Sequence, residues 1–367
     1  MKLRYRILSG AASLLLVLAV ALAVTLSYTA PCAPAQAADG GARTGKAFVH
    51  GCYGPPEVLE LVELDVPEPA ADDVLIRVRA ASVNPYDWHH LRGSPYLMRL
   101  GTGIGSPAQP RLGTDFAGVV EAVGRDVGRF VPGDRVFGGA TGAFGEYVTV
   151  SGAGSVAHLP DGVSFEQAAA LPIAATTALQ ALRDEGALRP GQKVLVNGAS
   201  GGVGTFAVQI AKSMGAEVHG VCSTRNVELV RSLGADRVFD YTQENYTGSG
   251  ETYDVIVDMV GNHPIRANLG VLAPGGRLVI VGGPKGNWFA PLRRPLGALL
   301  TAPFVDQQLV TMIAGLDGDD LEALAAMVGD GSVEPVIDRR FALRGVPDAI
   351  RYSETGRARG KIVINIE

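Results

Sequence analysis

The stretch Val194-Leu195-Val196-Asn197-Gly198-Ala199-Ser200-Gly201-Gly202-Val203-Gly204 restricts the fold of this chain more than any other. An apolar β-branched run ends at glycines, and a helical pattern follows to Met214. Glycines turn the chain tightly and let its backbone approach a pyrophosphate. The helix behind them offers that anion free N–H groups and the positive end of its dipole. Because strand and helix are both legible, the segment reads as a dinucleotide-binding turn.

The surrounding sequence alternates in the same style. Residues 193–197, 217–222, 237–241, 253–260 and 277–281 read as strands, with helices over 202–214 and 226–233. Such alternation predicts an α/β fold, a doubly wound parallel sheet with right-handed crossovers. A site for NAD wants a carboxylate near the end of the second strand to hold the ribose diol. This chain has Cys222-Ser223-Thr224-Arg225-Asn226 there, and no acid before Glu228. Hydroxyls and a guanidinium suit a 2′-phosphate, so the cofactor is expected to be NADP(H).

Short strands dominate both flanks. Residues 47–50, 58–64, 74–80, 116–123, 135–137 and 146–150 are strand-like, and the 48 glycines cluster at the turns between such runs. After residue 318 come helices over 321–328 and 346–352 and strands over 335–341 and 361–366. The chain of 367 residues has room for two ordinary domains. The expected division is a β-rich, partly closed barrel over 46–165 and 318–367 with the nucleotide domain, 166–317, inserted. A net charge of -5, without a basic stripe, excludes nucleic acid as a partner.

Residues 1–45 form a separate unit, a membrane anchor or signal segment over 1–30 and a linker over 31–45. Lys2, Arg4 and Arg6 precede an almost wholly apolar run over 7–26. Twenty helical residues span about 30 Å, the hydrocarbon thickness of a bilayer. The run Ala35-Gln36-Ala37-Ala38 suits a cleaved signal, but the long apolar core favours an uncleaved single-span anchor. A lipid attachment at Cys32 is disfavoured by Pro31 before it. Basic residues ahead of the span lean the enzyme to the outer face, whereas the supply of NADPH argues for the inner one. Cys32, Cys52 and Cys222 are too few for a four-thiolate site and read as small buried hydrophobes.

Several further motifs stand in order along the chain: Tyr53-Gly54-Pro55-Pro56-Glu57-Val58-Leu59, Ser82-Val83-Asn84-Pro85-Tyr86-Asp87-Trp88, Gly113-Thr114-Asp115-Phe116-Ala117-Gly118-Val119-Val120 and Pro132-Gly133-Asp134-Arg135-Val136-Phe137. With the glycine turn, Leu233-Gly234-Ala235-Asp236 and the closing Gly360-Lys361-Ile362-Val363, the sequence from Lys46 onward resembles the medium-chain dehydrogenase/reductases. Within them it is similar to the zinc-independent, quinone oxidoreductase-like branch. The resemblance implies a GroES-like catalytic domain, an inserted Rossmann domain and a cleft between them for the nicotinamide.

Matched residue by residue, it implies that Asn84 lies beside the nicotinamide and that Ser200, Gly201, Gly202 and Val203 hold the pyrophosphate. Ser223, Arg225 and Tyr241 would hold the 2′-phosphate and adenosine, and Val260, Gly261, Val281 and Gly282 would lie beneath the dinucleotide. Thr176 would sit on the helix beside it. Zinc-dependent relatives carry an early cysteine and a Gly-His-Glu run where this chain has Asn84-Pro85-Tyr86-Asp87 and Gly113-Thr114-Asp115. No metal site is therefore expected.

Without a Lewis acid, hydride transfer favours acceptors that spread the incoming charge over a conjugated system, such as a quinone or an α,β-unsaturated carbonyl. Asn84, His89 and Tyr96 are the catalytic candidates, with Asp87, His90 and Arg92 close by. The loops over 97–111 and 285–304, rich in apolar and aromatic residues, suggest a hydrophobic acceptor. Alternatives are a zinc-free NADP-dependent alcohol dehydrogenase and a non-catalytic, membrane-tethered NADPH sensor. Partners expected besides the small-molecule substrate are the membrane, through residues 7–26, and a second copy of the chain as a homodimer.

Overall fold

The structure is a computed structural model that describes residues 2–34, 38 and 43–367, with side chains in the first helix from residue 15 onward and at residue 13. The chain opens with helix α1 (Lys2–Ser27). Strands β1 (Thr44–Val49) and β2 (Glu60–Asp65) then form an antiparallel pair. β3 (Asp73–Val83), β4 (Asp115–Val123), β5 (Arg135–Gly139), β6 (Tyr147–Ser151) and β7 (Val156–His158) begin the first large sheet. Helix α2 (Pro85–Arg92) and the short α3 (Arg99–Thr102) lie in the connection between β3 and β4.

Helices α4 (Phe165–Ala169) and α5 (Pro172–Gln180) lead into a second sheet. Its strands are β8 (Lys193–Asn197), β9 (Glu217–Cys222), β10 (Arg237–Asp240), β11 (Tyr253–Asp258), β12 (Leu272–Ile280) and β13 (Gln308–Thr311). The intervening helices are α6 (Gly202–Ser213), α7 (Val227–Ser232), α8 (Ile265–Leu269) and α9 (Arg293–Thr301). After α10 (Gly318–Gly329), strands β14 (Ile337–Ala342) and β15 (Lys361–Asn365), with α11 (Val346–Glu354) between them, return to the first sheet.

All pairings in the second sheet are parallel, and its order is β10-β9-β8-β11-β12-β13. Counting from β8, that is the 3-2-1-4-5-6 order of the doubly wound dinucleotide fold. Its topological switch lies between β8 and β11, where such sheets open a crevice at the carboxyl ends of their strands. The first sheet runs β14-β15-β3-β4-β5-β7. Along one edge, the long β3 pairs with β6 through residues 73–77 and with β15 through 80–83, which bends the sheet towards a barrel.

One core cluster joins Ala80, Ala117 and Phe137 of the first sheet to α5, α6 and β8, so the two sheets share packed interior. The stretches read as loops at 97–111 and 285–304 contain α3 and α9. The edge strand β13 had no clear pattern in the sequence. Only four residues long, it is given its place by the register of Leu278 against Leu309.

The N-terminal expectation is corrected. Among the described residues, no helix is long and apolar enough to cross a membrane. The end of α1 is instead held by the connection between β3 and β4. Leu26 is fully buried, and Arg99 donates to the carbonyls of Leu26 and Tyr28 at 3.0 and 2.7 Å. Ala30 N donates to Gly105 O at 2.8 Å. Hydropathy registers the wish of a segment to leave water, not what receives it. Ala35, Gln36 and Ala37 of the cleavage-like run lie outside the described residues.

The cysteine reading is also corrected. Cys32 and Cys52 form a disulfide, and only Cys222 is a free buried thiol, its pKa pushed up to about 11 chiefly by burial.

Candidate active site

The register of the first sheet assembles a polar cluster. Ser82 of β3 lies opposite Asp115 of β4, and Val83 lies opposite Ile362 of β15. Side chains alternate along a strand, so Ser82 and Asn84 share a face, and Asp115 and Lys361 join them from the neighbouring strands. Asp115 Oδ2 accepts from Ser82 Oγ and Asn84 Nδ2, both at 2.8 Å, and from Lys361 Nζ at 3.2 Å. Its Oδ1 accepts from Ile173 N, in the first turn of α5, at 3.0 Å. Lys361 Nζ also donates to Asn84 Oδ1 at 2.5 Å. All of these side chains are buried.

Asn84 precedes α2, and its backbone N–H donates to Asp87 Oδ2 at 2.7 Å. Asp87 is fully enclosed and its Oδ1 makes no hydrogen bond among the described residues. Burial pushes its pKa up to about 8, the negative Asp115 adds to the rise, and the Asn84 N–H and Lys361 oppose it. Burial therefore favours the neutral form of this carboxyl beside Asn84.

The glycine turn faces this cluster from the second sheet. Gly198 takes φ +95°, which L side chains avoid, and a Cβ at Gly204 would stand 2.1 Å from Gly198 O. That close approach aims the N-terminus of α6 along the end of β8. At Gly201 a Cβ would come no nearer than 3.5 Å to any atom, so the turn presents bare backbone to the crevice. Gly360 N donates to Ser200 O at 3.0 Å, which ties the turn to the start of β15.

The strand ends carry a second network that sequence reasoning missed. Asp258, at the end of β11, is fully buried, and its Oδ1 accepts from Asn197 Nδ2, Val260 N and Gly261 N at 2.8, 3.1 and 2.9 Å. Its Oδ2 pairs with Arg294 of α9 at 2.5 Å. Asn226 was missed too; it is buried and bridges the turn to the end of β9 by donating to Ser200 Oγ at 2.9 Å and Ser223 Oγ at 3.3 Å. The asparagines and the acid at successive strand ends were visible as residue types, but nothing local marked them as partners.

The structure places most of the sequence candidates at the carboxyl ends of neighbouring strands of the second sheet. Ser200, Gly201, Gly202 and Val203 form the turn, and Ser223 and Arg225 follow β9. Val260, Gly261, Val281 and Gly282 follow β11 and β12, with Asn84 facing them from the first sheet. Tyr241, just past β10, is exposed at the same edge, its N–H bonded to Cys222 O at 3.0 Å. Arg225 Nη2 donates to Arg357 O at 2.9 Å, bringing a second arginine from the segment after α11.

Thr176 lies one turn past Ile173 on α5. It is fully buried, and its Oγ1 makes no hydrogen bond among the described residues. That orphaned hydroxyl and the bare glycine cradle fit a bound dinucleotide.

His89 and Tyr96 stand apart from this core. His89 Nδ1 lies 2.5 Å from Ser94 O, and since a carbonyl only accepts, that nitrogen carries the proton. Burial lowers the pKa of His89 and of His90. The Tyr96 ring packs edge-on against Trp288 at 4.9 Å, and its N–H donates to Asn287 O at 2.8 Å. Among the described hydrogen bonds these two side chains meet Ser94 and Asn287, not Asn84, and they line a wall beside the buried cluster. The segment after Gly282 reaches the same wall, with Lys285 Nζ 5.2 Å over the Trp88 ring.

The sequence family described as "Alcohol dehydrogenase GroES-like domain" matches residues 70–161, and "Zinc-binding dehydrogenase" matches 233–364. The chain is 36% identical over 324 residues to a chloroplast envelope quinone oxidoreductase homolog of Arabidopsis thaliana, covering 83% of this chain and 93% of that protein. The chain belongs to the medium-chain dehydrogenase/reductases. It falls in their quinone oxidoreductase-like branch and is an oxidoreductase.

It is also 34% identical over 338 residues to an NADPH-dependent alkenal/one oxidoreductase of Arabidopsis thaliana chloroplasts, covering 87% of this chain and 79% of that protein. The solved quinone oxidoreductase of Coxiella burnetii superposes with a TM-score of 0.78 at 30% identity, covering 89% of this chain and all of the other. A nicotinamide cofactor follows from the family and the crevice together. Among the described residues of this family member, no group of three or more His, Cys, Asp or Glu could hold a metal ion.

Proposed function

We propose that the chain is an NADPH-dependent, zinc-independent reductase of quinones or α,β-unsaturated carbonyls. The observation that carries this reading is the equipment of the cleft. Where a metal-dependent relative needs ligands, this chain sets Asn84, an uncharged hydrogen-bond donor clamped by Asp115 and Lys361. The names of the relatives, quinone oxidoreductase and NADPH-dependent alkenal/one oxidoreductase, point to the same substrate class.

In this reading the backbone of Ser200 to Val203 holds the pyrophosphate at the start of α6. Ser223 and Arg225, with Arg357 beside them, hold the 2′-phosphate, and Tyr241 borders the adenosine. Asn84, Thr176 and the segments after β11 and β12 enclose the nicotinamide, which when bound supplies the hydride. An enone plus NADPH and a proton gives the saturated carbonyl and NADP+. The buried cluster excludes water, and the proton enters from solvent at the wall formed by His89 and Tyr96.

Steady NADPH oxidation with a quinone and with an enone, each against a simple aldehyde, tests the proposal. Turnover of the conjugated acceptors that survives a chelator and greatly exceeds that of the aldehyde is expected. Aldehyde turnover that is lost with the chelator would support the alcohol dehydrogenase reading, and cofactor binding without turnover the sensor.

A further inference from the structure

One cation stands between the glycine turn and Asn84. Lys361 opens β15, is only 3% exposed, and reaches Asn84 Oδ1 and Asp115 Oδ2 with the same ammonium. An ammonium only donates and a carboxylate only accepts, so the two together settle how the Asn84 amide points. Its oxygen must face Lys361, its nitrogen must face Asp115, and one N–H of that nitrogen is left over. The stem of the lysine runs beside the turn, since a Cβ at Gly202 would lie 3.3 Å from Lys361 Cδ. Its neighbour Gly360 bridges to Gly201 and donates to Ser200 O.

Resting on the cofactor reading above, we propose that Lys361 is a positioning residue for hydride transfer: it locks the Asn84 amide so that the remaining N–H serves the nicotinamide carboxamide. The same side chain sets the distance between that donor and the pyrophosphate turn. Asn84 touches the cofactor; Lys361 acts through it. No local signal reveals this, because the pair is 277 positions apart.

Three readouts test it, beginning with the dissociation constants of NADPH and of 2′-phospho-ADP-ribose, which lacks the nicotinamide, for wild type and K361M. Loss of one charge-assisted lock should weaken NADPH about tenfold and leave the fragment within about twofold. Equal weakening of both would mean that the turn has merely been distorted, and unchanged NADPH binding would mean that the lock is idle. Either result overturns the proposal. The second readout is a cycle with N84A: the double variant should bind NADPH no more weakly than N84A alone, and additive losses refute action through Asn84.

The third readout is the side-chain amide signal of Asn84 in the ligand-free protein. It should be protected from exchange in wild type and lose that protection in K361M; unchanged protection overturns the lock. Should wild type bind no NADPH, the cofactor reading fails, while this signal still decides the role of Lys361. If K361M does not fold, the same measurements apply to K361R, which keeps a charge opposite Asp115 but not the point-donor geometry of the lysine.

Discussion

Replacing Asp258 by asparagine should damage both the fold and the cofactor site. The carboxylate accepts Asn197 Nδ2, Val260 N and Gly261 N on Oδ1 and pairs with Arg294 on Oδ2, with no exposure to solvent. In D258N the amide oxygen can keep the three N–H groups, but then the amide nitrogen faces the guanidinium, donor against donor. Arg294, only 6% exposed, is left as a buried charge without its counter-ion. Removing one member of such a pair costs about 3–5 kcal/mol. At about 2 °C per kcal/mol for a chain of this size, the melting temperature should fall by roughly 6–10 °C.

Val260 N and Gly261 N would then donate to a neutral amide oxygen in place of a carboxylate, so the segment after the strand end should loosen and NADPH should weaken by about tenfold or ~1.4 kcal/mol. Thermal unfolding and a fluorescence titration with NADPH read the two effects. The companion variant D258L/R294M removes both charges and should recover at least half of the lost stability, because an apolar pair needs no counter-ion. A D258N protein that melts within about 2 °C of wild type would refute the argument that this network is held by its charge.

Arg225→Asp should weaken NADPH by about tenfold or more, ~1.4 kcal/mol, with a smaller effect on NADH; unchanged NADPH affinity would remove Arg225 from the 2′-phosphate site. The raised pKa of Asp87 means that the folded protein keeps a proton which the unfolded chain gives up near its ordinary value. Its contribution is complete below pH of about 4 and is lost as pH rises to about 8, so wild type should lose melting temperature across that window and Asp87→Asn should lose less. Parallel curves would contradict a buried neutral carboxyl at this position. Cys52→Ser opens a link between residues 20 positions apart and should destabilise the protein by about 3 kcal/mol. Limited proteolysis should then cut within residues 26–34, and an unaltered digestion pattern would show that the contacts of Leu26, Tyr28 and Ala30 with Arg99 and Gly105 hold that segment without the disulfide.

What the sequence determined by itself was local. The glycine turn, the strands at 193–197 and 217–222 and the helix behind the turn were legible because each declares itself within a few residues, by periodicity or by a backbone geometry only glycine adopts. The doubly wound parallel sheet followed from alternation and chirality, and the order of motifs from Tyr53 to Val363 pointed to the family.

The tertiary structure decided which polar groups meet. Register puts Asn84, Asp115 and Lys361 on one face of three strands, and parallel pairing sets Asn197 beside Asp258, at sequence separations no periodicity spans. It also decided what the ends of hydrophobic segments serve. The apolar run before Ser27 reads as a bilayer span by length alone, yet the carbonyls at its end are taken by Arg99, whose guanidinium lies 4.4 Å from the Tyr53 ring and 4.7 Å from the Tyr96 ring. Hydropathy and propensity are properties of one segment. A buried ion pair, a disulfide or a docked helix end is a property of two, and its energy exists only once the chain has brought them together.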